Sequence, residues 1–217
     1  MNGRTTFLVV DDHPIFRQGL VALVGSDPHY EIIAEAGSVG EALDALERRV
    51  PDMALVDISL LDQSGLELVK TIKASYPDVL ILIISMHDET IYAERAIKAG
   101  ARGYVMKQEA ASVMLNAIRT VLSGKIYISA AMRDRLLESI FVTDEAKPTG
   151  VESLSDRELQ VLELIGQGYG AAEIARMLNL SVKTVNVYRE HLKEKLRIPD
   201  SGELRRFAVK WVQSRDR

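Results

Sequence analysis

Cysteine is missing from all 217 residues. That excludes a disulfide scaffold, thiol catalysis and Cys-ligated zinc, and it fits a reducing compartment. Aromatic residues are scarce, at 6%, with a single Trp. No apolar run approaches the ~20 residues that a membrane span needs; the densest, Val79–Ile84, has the length of a strand. The start, Met1-Asn2-Gly3-Arg4, leads into a short apolar stretch and then an acidic pair, which is not the pattern of a signal peptide, so the expected location is the cytoplasm. A surplus of positive charge is missing too. The net charge is −4, which on its face argues against a nucleic-acid partner.

That total hides two unlike parts. Residues 1–150 hold 15 Lys and Arg against 21 Asp and Glu, a net of −6, whereas residues 151–217 hold 12 against 10, a net of +2. Between Arg176 and Lys210 nine basic residues face four acidic ones. The break falls at residues 142–152, a polar stretch with Pro148 and Gly150 that reads as a linker.

The first part alternates two periodicities. Short β-branched runs at Phe7–Val10, Glu31–Ala34, Met53–Val56, Val79–Ile84 and Gly103–Val105 predict strands. Between them, apolar residues three and four apart predict helices over Ile15–Val24, Val39–Leu46, Leu66–Ile72, Ile91–Ala99 and Val113–Leu122. A strand apolar on both faces, such as Leu80–Ile84, needs both faces covered, so the sheet is parallel and lies between helices. Five such units predict an α/β fold, a doubly wound five-stranded parallel sheet of flavodoxin-like strand order, with its crevice at the carboxyl ends of the strands.

The second part predicts an all-α unit of four helices. Ser155-Asp156-Arg157-Glu158 has the spacing of a capping box, and Leu159, Val161, Leu162, Leu164 and Ile165 form an apolar face ending at Gly166 and Gly168. Ala171–Leu178 follows and stops at Asn179; Ser181 caps Val182–Leu196; a last helix covers Gly202–Gln213. A short turn between the second and third of these is the geometry of a helix-turn-helix. Met177 is expected in the core.

Residues at the predicted strand ends carry the chemistry. In order they are Asp11 and Asp12, Asp57, Ser85 and Lys107. Singly each has a bland explanation: an Asp pair caps turns and helices, a lone Asp caps more often than it attacks, and a lone Lys faces solvent. Together, on successive βα units, they converge on one crevice. Converging carboxylates repel unless a cation sits among them, and oxygen ligands favour a hard ion, Mg²⁺ first. Asp57, directly after Ala54-Leu55-Val56, is placed to attack phosphorus, and Lys107 to neutralise the phosphoryl charge. His13 is expected to cap the crevice rim, and the four His residues show no ligand spacing.

These motifs resemble, over residues 5–122, the receiver domain of two-component response regulators: Val9-Val10-Asp11-Asp12-His13-Pro14, Asp57-Ile58-Ser59-Leu60, Ser64-Gly65-Leu66-Glu67, Ile84-Ser85-Met86 and Ala99-Gly100-Ala101-Arg102-Gly103-Tyr104-Val105-Met106-Lys107. The resemblance implies Asp57 as phosphoacceptor, Asp11, Asp12, Asp57 and the Ser59 carbonyl as Mg²⁺ ligands, and Lys107 as phosphate partner. It also implies Ser85 and Tyr104 as the switch pair, and a sensor histidine kinase as partner. Two positions depart from the pattern: Leu60-Leu61 where many receivers have Met-Pro, and Gln108 where many have Pro, which leaves the peptide after Lys107 open.

Residues 151–215 resemble the LuxR-type helix-turn-helix, and the pairing resembles the NarL/FixJ class, which implies double-stranded DNA as partner and a homodimer when active. The domains expected are 1–123, a linker at 124–152 with a connecting helix over Ser129–Phe141, and 153–217. On the third helix of the second part, Val185, Leu192 and Leu196 should face the core, which offers Lys183, Thr184, Asn186, Val187, Arg189, Glu190 and Lys193 to DNA. Asn186 suits an adenine edge and Glu190 a cytosine amine, with solvated helix positions as the plain alternative. Arg205-Arg206 is either a solvated face or a phosphate contact. The last helix, with Leu204, Phe207, Ala208 and Trp211, is expected to pack the unit and, by resemblance, to supply a dimer face through Leu204, Phe207 and Trp211. The function implied is a phosphorylation-switched transcription regulator and not an enzyme. Its rivals are an aspartyl-phosphate phosphohydrolase, which places a second Asp where this chain has Ser59, and a pseudo-receiver controlled by protein contact alone.

Overall fold

The computed structural model describes residues 3–60, 63–130, 132–134 and 150–214. The chain divides into two compact units, Met1–Thr143 and Asp144–Arg217.

In the first unit strands and helices alternate: β1 (Thr5–Val10), α1 (Pro14–Gly25), β2 (Tyr30–Ala36), α2 (Val39–Arg48), β3 (Met53–Val56), α3 (Gly65–Ser75), β4 (Leu80–Ser85), α4 (Glu89–Ala99), β5 (Gly103–Met106) and α5 (Ala111–Leu122). The strands form one sheet in the order β2-β1-β3-β4-β5, and every pairing is parallel. This is the doubly wound sheet that the apolar runs predict. β3 is buried at all four positions and β4 at five of six, because both faces are covered; β2, at an edge, is mostly half-buried.

Side chains alternate across the sheet. Phe7, Val9, Leu55, Leu82, Ile84 and Val105 pack on one face with Leu20 and Val24 of α1 and with Met114, Ile118 and Val121 of α5. Each fully buried aliphatic side chain of this kind contributes about 1.5–3 kcal/mol. Four of the five helices begin one or two residues before the apolar periodicity does, and α2 begins with it at Val39. Ser38, Ser64 and Asp88 cap α2, α3 and α4 by accepting from backbone amides of the first turn.

Beyond α5 the chain returns to the sheet. The Tyr127 amide donates to the Arg102 carbonyl (3.0 Å), and the Tyr127 carbonyl accepts from the Tyr104 amide (2.8 Å), so one residue lies parallel against the outer side of β5. Gly103 permits this approach: a Cβ there would lie 2.9 Å from the Tyr127 oxygen. Ser129 then donates its amide to Glu89 of α4 (2.8 Å), and its hydroxyl accepts from the Met132 amide (3.1 Å). Of the connecting helix expected over Ser129–Phe141, residues 130 and 132–134 are helical, and 131 and 135–141 lie outside the described residues.

The second unit opens with a 3-10 turn (Gly150–Ser153), followed by α6 (Asp156–Gly166), α7 (Ala171–Met177), α8 (Val182–Leu196) and α9 (Ser201–Gln213). The capping box at Ser155 is formed in both directions: the Glu158 carboxylate accepts from the Ser155 amide, and the Ser155 hydroxyl from the Glu158 amide. The α7–α8 turn passes through Asn179 at φ 50°, a left-handed conformation that Asn tolerates better than most residues. α6 and α9 touch closely at Gly166, where a Cβ would lie 2.5 Å from the Ala208 carbonyl oxygen. Leu159, Leu162, Ile174, Val185, Leu192 and Leu204 are all buried.

Two expectations about this unit need correction. Met177 is 54% exposed and not in the core, since it occupies the last turn of a seven-residue helix whose buried positions are Ile174 and Ala175. Leu204, expected on a dimer face, has no exposed surface; it points from α9 into the core of the unit and is not available to a second chain.

Candidate functional site

Asp11, Asp57 and Lys107 each stand one position past a strand and are held there by a neighbouring strand, while Ser85 is the last residue of β4. The Asp11 amide donates to the Ala36 carbonyl (3.0 Å), the Asp57 amide to Val10 (2.9 Å) and the Lys107 amide to Ser85 (2.8 Å). The ladder of the sheet therefore continues one rung into the loops, which aims the side chains at one point. Lys107 is the cation at the centre. Its ammonium donates to Asp57 Oδ2 (2.8 Å), lies 2.7 Å from Asp11 Oδ2, and sits 4.6 Å from the centroid of the Phe16 ring.

Asp11, Asp57, Ser85 and Lys107 are buried, and Asp12 is half-buried. Asp57 Oδ1 is buried with no hydrogen-bond partner. Burial pushes the Asp57 carboxyl above its ordinary value; Lys107 opposes the rise and the Asp11 charge adds to it. Asp12 is raised as well, by burial first, with His13 opposing and Asp11 adding. Three carboxylates against one ammonium leave unbalanced negative charge in a largely buried crevice.

One ligand atom from each of Asp11, Asp12, His13 and Asp57 fits within 4.8 Å of the others. The three aspartates are those singled out from sequence. His13 adds to them from the exposed edge of the crevice, with its Nδ1 2.6 Å from Asp12 Oδ1.

The loop after Asp57 is shaped by Gly65, whose amide donates to the Ile58 carbonyl (2.8 Å). A Cβ at Gly65 would lie 1.8 Å from the Asp57 carbonyl oxygen, so no other residue fits without moving the acceptor loop. Ser59 sits in that loop, half-buried, with its hydroxyl 2.8 Å from His87 Nε2. Tyr104 is buried, and its hydroxyl donates to the His87 carbonyl (2.7 Å); the His87 amide in turn donates to Ser85 Oγ (3.3 Å). His87 thus joins Ser59, Ser85 and Tyr104, and its ring packs 4.6 Å from that of Tyr92. Sequence reasoning missed it. Its signal was position, two residues past a strand-end serine. All described peptides, including the one after Lys107, are trans.

On α8, Lys183, Asn186, Val187 and Glu190 are exposed, while Thr184, Arg189 and Lys193 are half-buried. Val185 and Leu192 face the core as expected, and Leu196 is half-buried. The Thr184 hydroxyl is 2.7 Å from that of Ser181 and so belongs to the helix cap. Glu190, exposed, pairs with half-buried Lys193 at 2.8 Å. The helix is buttressed from behind: buried Glu158 of α6 accepts from Lys195 (2.6 Å) and lies 3.5 Å from His191 Nδ1. Burial pushes Glu158 up, yet the hydrogen bonds from Lys195 and from Ser155 outweigh it and leave the group below its ordinary value.

Residues 7–119 match the response regulator receiver domain, and residues 152–208 match the bacterial regulatory proteins of the luxR family. The oxygen regulatory protein NreC of Staphylococcus epidermidis is 34% identical over 210 residues, 94% of this chain and 96% of NreC. A LuxR-family two-component response regulator from Aurantimonas, known as a crystal structure, is 32% identical with a TM-score of 0.59, covering 64% of this chain and 99% of that one. The Salmonella typhimurium response regulator RcsB shares the fold, with a TM-score of 0.66 at 23% identity over 96% of this chain and 98% of RcsB. Two RcsB dimers have also been solved bound to two parallel DNAs (TM-score 0.58, 23% identity, 95% of this chain and 98% of that one). A receiver crevice on a doubly wound sheet, joined in one chain to a luxR-type helix-turn-helix, makes this protein a member of the NarL/FixJ class of response regulators, phosphorylation-regulated DNA-binding proteins of two-component systems.

Proposed function

We propose that Asp57 accepts a phosphoryl group from the phosphohistidine of a sensor histidine kinase, and that this controls binding of α8 to double-stranded DNA by a homodimer in the cytoplasm. The observation that carries the reading is the buried Asp57 carboxylate, whose Oδ2 accepts from the Lys107 ammonium while Oδ1 is left without a partner. In the transfer, a carboxylate oxygen of Asp57 forms the bond to phosphorus as the P–N bond breaks. The electron pair leaves with the imidazole nitrogen, which takes up a proton. Lys107, now 2.8 Å from Asp57, follows the charge onto the phosphoryl oxygens, and the Ser85 hydroxyl donates to one of them. Asp11, Asp12, Asp57 and the Ser59 carbonyl would hold Mg²⁺, which when bound supplies charge neutralisation for the transferring group. The excess of carboxylates over ammonium in the crevice fits such an ion. Ser85 drawn toward the phosphoryl group shifts the His87 loop that Tyr104 holds, a local charge event biasing a packed element.

At the DNA, Lys183, Arg189 and Lys193 meet phosphates, Thr184 orders the helix start, and Asn186, Val187 and Glu190 read base edges. Phe207 and Trp211, half-buried on α9, remain for a dimer contact.

Acetyl phosphate with Mg²⁺ tests the acceptor. Intact mass should rise by one phosphoryl group for the wild-type chain and stay unchanged for Asp57→Asn; equal labelling of both overturns the assignment.

A further inference from the structure

Arg17 of α1 is the one described arginine whose guanidinium approaches the acidic loop, and it does so from behind. Its Nη1 donates to the backbone carbonyl of Asp11, not to any crevice carboxylate, and its Nε lies 3.5 Å from Glu35 Oε2 near the end of β2. Its own amide donates to the His13 carbonyl (3.0 Å). The side chain is four-fifths buried, and Gly37 lies close enough that a Cβ would sit 3.4 Å from Nη1. Arg17 therefore pins the loop that bears Asp11 and Asp12 to the edge strand without entering the crevice.

The Asp11 carboxylate has two other supports. Oδ1 accepts from the His13 amide (2.8 Å), a bond within the same loop, and Oδ2 lies against Lys107 (2.7 Å). On the reading above, Lys107 turns to the phosphoryl group when one arrives, and Asp11 loses that support while its charge is still needed. What then fixes the loop against the rest of the fold is the Asp11 peptide: its amide on Ala36 and its carbonyl on Arg17.

We infer that Arg17 is a positioning residue for the divalent ion: by clamping the Asp11 carbonyl to Glu35 it presets the Asp11–Asp12 carboxylates for the metal. This rests on the Mg²⁺ reading of the crevice. Partners that orient ligands from outside the coordination sphere change metal affinity by roughly 10–100-fold. Arg17→Ala should weaken the metal by about tenfold. Arg17→Lys, which still reaches the carbonyl but cannot fork to Glu35, should recover part of the loss.

The test uses the full chain and the spectroscopic ion Mn²⁺. Free Mn²⁺ is followed by electron paramagnetic resonance for the wild type, Arg17→Ala, Arg17→Lys and Arg49→Ala, the last breaking only the exposed pair with Glu31. Expected is a graded loss, Ala worse than Lys, with Arg49→Ala equal to the wild type. Acetyl-phosphate labelling against Mg²⁺ concentration should show a raised half-saturation and an unchanged limiting rate. Equal Mn²⁺ affinity in folded Arg17→Ala, or a lower limiting rate with unchanged half-saturation, overturns the inference. If Arg17→Ala does not fold, an Arg17→Lys affinity equal to the wild type overturns it. A wild-type chain that takes up no Mn²⁺ overturns the metal reading and this inference with it, an outcome distinct from equal binding by all four.

Discussion

Lys107 first, with a hydrogen bond from Ser85, offsets part of the cost of burying Asp57, and the rest of that cost leaves its carboxyl above its ordinary value. A cation that binds only the native crevice must therefore stabilise the chain. Thermal unfolding should move upward with Mg²⁺ for the wild type, by about 2.7 kcal/mol at a hundred times the dissociation constant. Asp12→Asn, lacking a ligand, should respond far less; equal shifts would place the ion elsewhere. Glu158 offers a pH prediction of opposite origin. Its folded value lies below the ordinary 4.5, so it adds stability above that pH and loses it as pH falls through the lowered value. Unfolding followed by the fluorescence of Trp211 should show this loss below about pH 4.5, and Glu158→Gln should flatten the dependence. Glu158→Ala should cost about 2–3 kcal/mol at neutral pH through its bonds to Lys195 and Ser155.

Elements show what was legible in the sequence and what was not. The strands were, because β3 and β4 are buried on both faces and such burial demands unbroken apolar runs. Asp11, Asp57 and Lys107 were legible for the same reason: the residue after each run must lie at the sheet's carboxyl edge. Leu204 is expected both to pack its unit and to serve a dimer face, and α9 turns it wholly inward, since a 3.6-residue period fixes which residues share a face but not what covers that face. Met177 failed in the reverse sense. His87 and Arg17 act through single hydrogen bonds to loop atoms, and a single bond leaves no periodic trace. Glycines carry clearer predictions. Gly65→Ala must displace the Asp57 loop and should abolish phosphoryl labelling in chain that still folds. Gly166→Ala must push α6 from α9, at about 1–3 kcal/mol, measured by denaturant unfolding of the second unit.

Across the whole chain, the opposed charges of the two parts bear on nucleic-acid affinity. Binding by the second unit should weaken linearly in log affinity against log salt, and Lys183→Ala should lower that slope by about one phosphate's worth while weakening all sequences alike. Asn186→Ala should instead relax preference at one base position. A fragment lacking residues 1–150 should retain DNA binding; its loss at every salt concentration would count against a separable output unit. The lone residue Tyr127 has a consequence of another kind. A sheet that ends in bare amides and carbonyls invites another chain to add a strand, and on β5 Tyr127 already occupies the rung at Gly103. A receiver fragment cut at residue 123 would uncover that rung and should self-associate with time and concentration in light scattering. One carried through residue 134 should associate less, because the chain that leads toward the DNA-binding unit also covers this edge of the sheet at Gly103.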